Sequence, residues 1–369
     1  MRRIPGWLLA TALIIAHAPA RAAAGTEPVT DIGMHEGVAY RIDIPSGWNH
    51  SLVVFFHGYA IEPIKFPPTQ PASPLSAPLL ERGYAVMQSA YSATGWALEQ
   101  ASADTEHLRE HFVAKYGKPK QVLALGMSMG GALSVLALEG KPDAYAGGLS
   151  LCGAVEPSDR MFQRDFALRA AFDYYFPDLL GPLVPVPTAY TADAAVEAKI
   201  AHALAAKPEA ANALLGFYGA ADISQLPLVI AFNTYEAKDL QQRTHGNPFD
   251  NAELIYSGSG DDVALNAGVR RYRSEPAARA YLTRWFTPSG KLKRPLLELH
   301  DSGDPLVPPA TVFEYALLVQ RAGYGDNFVQ QYVPRAGHCV FTQQDVAHAF
   351  DELIEWIGTG RRPVSGKLN

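Results

Sequence analysis

Two separated stretches of the chain alternate short apolar runs with helically spaced ones. Residues 37–44 (GVAYRIDI) alternate apolar and polar positions, whereas 51–56 (SLVVFF) are continuously apolar; the pair predicts an edge strand followed by a buried one. A Pro-rich loop at 61–78 leads to an apolar strand at 84–89. Residues 96–116 have helical spacing, with Leu98, Ala101, Leu108 and Phe112 towards one side. A strand at 121–125, a helix at 132–138 and a strand at 146–151 follow. This rhythm predicts a mostly parallel sheet with helices on both faces. It stops between 156 and 293, where the pattern is helical and loop-rich, with helices expected at 161–176 and 194–206 and a Pro-rich bend at 182–187. It resumes with a strand at 295–300, a helix at 311–321, a strand at 328–333 and a last helix at 345–356. The chain thus reads as one α/β sheet domain, residues 23–155 and 294–369, with a helical insertion at 156–293.

The first residues depart from this pattern. Arg2 and Arg3 precede an apolar run from Trp7 to Ala16, and Ala20-Arg21-Ala22 is a small-x-small site, so residues 1–22 read as a signal peptide. The run is too short to cross a bilayer, which takes about 20 residues. The mature chain is therefore expected in a periplasm or outside the cell, without stable membrane insertion. Of 369 residues, 48% are hydrophobic and 18% charged, which suits a packed core. The net charge of -6 is spread without basic clusters, which excludes a nucleic-acid partner.

The candidate chemistry sits at strand ends. Gly126-Met127-Ser128-Met129-Gly130 is a G-x-S-x-G motif between a strand and a helix, the setting in which a sharp turn projects a serine hydroxyl. A serine needs a base to become nucleophilic. His338, in a loop after the last predicted strand, is the candidate; His57 competes but reads better as a loop-fixing hydrogen bonder. The acid that orients the base is expected from 300–305 (HDSGDP), as Asp304 in preference to Asp301. Backbone amides of Met129 and of Tyr59, in the loop after strand 51–56, are the candidate oxyanion donors. Tyr91 and Trp96 are candidate substrate contacts. The pairs Asp250/Asn251 and Asp261/Asp262 lack EF-hand spacing and read as caps and turns, so no metal and no cofactor is expected.

Together HG at 57–58, G-x-S-x-G, GDPLVP at 303–308 and GHC at 337–339 resemble the α/β-hydrolase superfamily, in its order Ser, Asp, His, over residues 33–155 and 294–360. LCG at 151–153, HGNPFDN at 245–251 and GHCVFT at 337–342 resemble a group of exported bacterial α/β-hydrolases, comparable to feruloyl-esterase-like and polyester depolymerase-like enzymes. The resemblance implies an eight-stranded-type sheet and hydrolysis of small-molecule or polymer carboxylic esters through an acyl-enzyme. A peptidase or amidase with the same residues, and an inactive binding protein, are the alternatives. The fungal tannase/feruloyl-esterase family ties a cysteine to its catalytic histidine, with the partner cysteine beside the serine; here Met127 holds that place. The two cysteines, Cys152 and Cys339, both fall at the carboxyl edge of the predicted sheet, and in an exported chain a disulfide between them is expected. In the insertion, Phe166, Phe172, Tyr174, Tyr175, Phe176 and Phe217 are expected mostly to form its own core, with some free to line an acyl pocket over the site.

Overall fold

The computed structural model describes residues 27–285 and 287–368; the expected signal peptide lies outside them. Nine strands form one sheet: β1 (Val29–His35), β2 (Val38–Ile44), β3 (Ser51–Phe56), β4 (Ala85–Ser89), β5 (Gln121–Met127), β6 (Gly147–Leu151), β7 (Leu296–Gly303), β8 (Phe328–Ala336) and β9 (Gly366–Lys367). Their order is β1-β2-β4-β3-β5-β6-β7-β8-β9. β1–β2 and β2–β4 are antiparallel and every later pairing is parallel.

The sequence reading is corrected at the sheet's margins. Residues 38–44 are not the edge, because β1 pairs along their length from Val29↔Ile44 to His35↔Val38. β1 reads VTDIGMH; Asp31 and Gly33 weaken its strand signal, and its partly exposed register leaves no apolar run to detect. The sheet also has nine strands, one beyond the eight implied, since the two-residue β9 adds to β8.

Strand alternation sorts side chains to two cores. Leu52, Val54 and Phe56 of β3 face the core shared with α2 (Leu98–Tyr116) and α3 (Met129–Gly140), while Val53 and Phe55 face that of α1 (Ala77–Glu81) and the C-terminal helix.

Between β6 and β7 the described residues form six α-helices: α4 (Ser158–Tyr175), α5 (Ala194–Ala206), α6 (Pro208–Tyr218), α7 (Leu226–Thr244), α8 (Asp262–Gly268) and α9 (Pro276–Trp285). α10 (Pro309–Arg321) and α11 (Gln343–Thr359) complete the chain. α11 buries Val346, Ala349, Phe350, Leu353 and Trp356, one apolar stripe at helical spacing, and Thr342 and Asp345 form a capping box at its start. α4 packs on α6 and α7, and these inserted helices are tied to the sheet's carboxyl edge. The Tyr218 hydroxyl donates to the Pro305 carbonyl at 3.1 Å, and Gln225 Nε2 to that of Gly303 at 3.2 Å. From the other side, Asp239 Oδ2 accepts from the Trp96 amide at 2.7 Å. The aromatic residues of the insertion pack mainly on one another, as in the stacked pairs Phe166–Phe249, Phe172–Phe176 and Phe217–Tyr256. The acidic pairs act as turn formers: Asp250 accepts from the Ala252 amide and Asp261 caps α8. No single helix among the described residues is long and apolar enough to cross a membrane.

Candidate active site

Parallel register brings strand ends together. Phe56 pairs with Gly126, Met127 with Leu151, and Leu151 with Leu299, so the loops after β3, β5, β6 and β7 emerge side by side. β8 joins them through Asp301↔Val333 and, after a bulge, Gly303↔Ala336.

Ser128 stands between β5 and α3 with φ 58° and ψ -120°, a backbone state costly for a side-chain-bearing residue, at about 1–3 kcal/mol. The motif's glycines make the turn possible. A Cβ at Gly126 would collide with the Gly130 carbonyl, and one at Gly130 with that of Phe56. The Ser128 amide donates to the Leu151 carbonyl (2.9 Å) and its carbonyl accepts from Ala154 (3.0 Å), which pins the turn to the end of β6.

The other predicted residues converge on it. His338 Nε2 lies 2.8 Å from Ser128 Oγ, and His338 Nδ1 lies 2.7 Å from Asp304 Oδ2. Asp304 is buried, and its Oδ1 accepts from the amides of Leu306 (2.9 Å) and Val307 (3.0 Å), which fix the carboxylate's direction. Asp301, the competing acid, points elsewhere: its Oδ2 accepts from the Val340 amide at 2.9 Å and braces the loop carrying His338. Cys152 and Cys339 form a disulfide with Cα atoms 5.3 Å apart, linking the end of β6 to the residue after His338. A hydroxyl bonded to an imidazole, itself held by a buried carboxylate, can yield its proton while the oxygen attacks an electrophile.

Gly58 lays the loop after β3 against this group, since a Cβ there would lie 3.2 Å from both the Met127 carbonyl oxygen and Ser128 Cβ. Tyr59 follows and lines the adjoining cavity. Met129 opens α3, where an amide has no intrahelical acceptor. His57 does not approach Ser128 through its ring: its Nδ1 engages the Gly58 carbonyl at 2.7 Å, and burial lowers its pKa below the ordinary value. Tyr91 corrects an expectation. It does not line the cavity; it is 6% exposed, has a backbone φ of 57°, and stacks on the His57 ring at 3.8 Å. Trp96, by contrast, is in the cavity wall.

The cavity over Ser128 has a volume of about 390 Å³. Its apolar wall includes Trp96, Met161, Phe232, Leu306 and Val307, and its polar side chains include Asp165, Asn233 and Glu236 besides Ser128 and His338. Of the insertion aromatics singled out from sequence, none is in this wall; Phe232 of α7, not foreseen, is.

Sequence reasoning also missed a buried pair beneath the site. His300 Nδ1 lies 2.9 Å from Glu298 Oε1 and its Nε2 lies 2.7 Å from the Val307 carbonyl. Glu298 accepts in addition from the Gly153 amide at 2.8 Å. Burial works against a charged His300, but Glu298 and then Asp304 outweigh it and raise the imidazole above its ordinary pKa; burial raises the Glu298 carboxyl. The pair joins the disulfide-bearing loop after β6 to the turn that holds Asp304. A signal was present, because a Glu inside the apolar run LLELH must find a partner if that strand is central.

A tannase-like family of unknown function (DUF6351) matches residues 35–156, about a third of the chain. An o-phthalyl amidase of Xanthobacter agilis is 22% identical over 413 aligned positions, covering 92% of this chain and 88% of the amidase. Among solved structures, a Bacteroides ovatus protein classed as a dipeptidyl aminopeptidase IV superposes with a TM-score of 0.50 at 11% identity, over 90% of this chain. This chain spans 36% of that protein's length. The esterase Pf2001 of Pyrococcus furiosus gives a TM-score of 0.46 at 12% identity, covering 89% of each chain. The chain has the α/β-hydrolase fold.

Proposed function

We propose that this chain, an α/β-hydrolase-fold protein, is a secreted or periplasmic serine hydrolase that cleaves carboxylic esters, with Ser128 as nucleophile, His338 as base and Asp304 as orienting acid. One observation carries the reading: the unbroken hydrogen-bond chain from Ser128 Oγ through His338 to buried Asp304. Asp304 keeps the Nδ1–H tautomer, which leaves Nε2 free to accept the serine proton as Oγ attacks the ester carbonyl. The Tyr59 and Met129 amides receive the oxyanion, at the loop laid against Ser128 and at the start of α3. His338 then delivers its proton to the leaving alcohol, and the same imidazole activates a water that attacks the acyl-enzyme and releases the acid. The inserted helices act as a cap, and the apolar, substrate-sized cavity beneath them suits an aromatic acyl group of the feruloyl type or a segment of a polyester.

A second reading, amide hydrolysis by the same residues, is favoured by the 22% identity to the o-phthalyl amidase along most of both chains. A fluorophosphonate probe tests the common ground: it should label the wild type and leave Ser128→Ala unlabelled. Absence of labelling, or equal labelling of the variant, removes the hydrolase reading in favour of a binding protein. Matched p-nitrophenyl esters and p-nitroanilides then separate the two reactions, and faster turnover of the anilides would overturn the ester assignment.

A further inference from the structure

α7 offers one face to the cavity over Ser128. Phe232, Asn233 and Glu236, spaced i, i+1 and i+4, all reach its wall. Glu236 is 5% exposed, and among the described residues nothing donates a hydrogen bond to its carboxyl. Asp165 of α4 differs, because Arg164 donates to it at 3.1 Å. The same guanidinium also donates to Glu156 at 3.1 Å, so it is committed away from Glu236.

A buried carboxyl without a partner takes up a proton, and a cation placed beside it restores the charged form. Burial, with Asp165 and Asp239 adding like charge, pushes the Glu236 carboxyl well above its ordinary range. The Arg164 guanidinium opposes this shift but gives its hydrogen bonds to Asp165 and Glu156. No Lys or Arg lines the cavity among the described residues, so an anionic substrate group has no counter-charge there except the His338 imidazole. The rings of Tyr59, Trp96 and Phe232 line the same space, and aromatic faces attract cations through their ring quadrupoles. A carboxyl and three rings around one cavity suit an ammonium group, which favours the ionised Glu236, whereas a neutral alkyl group does nothing for it.

We propose that Glu236, with the rings of Tyr59, Trp96 and Phe232, forms a subsite for a protonated amine carried by the substrate. The enzyme then selects esters or amides that bear an ammonium group within reach of α7. This subsite rests on the reading of Ser128 as the nucleophile of the cavity.

Calorimetric titration of the purified protein with phenethylammonium, 2-phenylethanol and 3-phenylpropionate tests it. The ammonium should bind at least about tenfold more tightly than the alcohol, the carboxylate should bind least, and the ammonium should slow fluorophosphonate labelling of Ser128. Glu236→Gln should abolish the preference for ammonium over alcohol. Equal or weaker binding of the ammonium in the wild type overturns the subsite, as does a preference that survives Glu236→Gln. Should the variant fail to fold, the wild-type ranking alone decides. Loss of the hydrolase reading would show separately, as absence of labelling, while the calorimetric ranking still judges Glu236.

Discussion

Ser128, Cys152 and Cys339 share an unusual backbone state, each with positive φ (58°, 46° and 60°) although none is glycine. Such strain is tolerated where surrounding bonds over-determine it, and here the disulfide and the Leu151–Ser128 hydrogen bond do so. The two aspartates of the loop after β7 divide their duties at this scale. Asp304 faces the imidazole and Asp301 holds the loop that carries it. Asp304→Asn should therefore lower kcat by about 10³–10⁴-fold, because the amide cannot hold the required tautomer. Asp301→Asn keeps an oxygen acceptor for the Val340 amide and should cost far less. Steady-state kinetics on the fastest ester would compare them, and the reverse ranking would transfer the acid role to Asp301.

At the scale of elements, the His338 loop has little regular structure of its own between β8 and α11. It is held by the bond from Cys339 to Cys152, by Asp301 and by the Arg335 guanidinium, which reaches the Val340 carbonyl at 3.1 Å. The disulfide closes a loop with a sequence separation of 187, so its removal releases much chain entropy in the unfolded state. The double variant Cys152→Ser, Cys339→Ser should lose about 2–4 kcal/mol of stability, read from urea unfolding. Its remaining folded fraction should turn over ester more slowly, since His338 loses its anchor. An unchanged unfolding midpoint would show that the other two ties suffice. The sequence made this element legible because both cysteines follow strand ends; β1 stayed illegible because its polar, half-exposed residues carry no apolar periodicity.

Across the whole molecule, the Glu298–His300 pair links β6, β7 and the turn of Asp304 through the core. His300 has a raised pKa in the folded chain, so its stabilisation is full below the unfolded value of about 6.5 and is lost as pH rises through the folded value. The raised Glu298 carboxyl acts in the same direction, because ionising it in the fold costs more than in the unfolded chain. Stability should therefore fall between about pH 6 and about pH 9 more steeply in the wild type than in His300→Gln. Urea midpoints at the two pH values would measure this, and equal slopes would remove the pair from the balance. Both residues were within reach of sequence reasoning only as a polar interruption of an apolar strand. Their pairing needed the fold.

The sequence by itself determined the features that depend on local pattern and strand order: the serine turn, the histidine that reaches it, the turn bearing Asp304 and the cysteines at strand ends. Each follows an apolar run whose parallel pairing leaves its loop at one edge, so order along the chain translates into nearness in space. Only the tertiary structure decided what surrounds Ser128. Tyr91 lies in the core against His57, while Phe232, Asn233 and Glu236 came to the cavity because α7 packs with that face inward. Helical spacing predicts that a face exists, but which face meets another element depends on packing between residues some 100 positions apart, and a single sequence does not encode that contact in any local pattern.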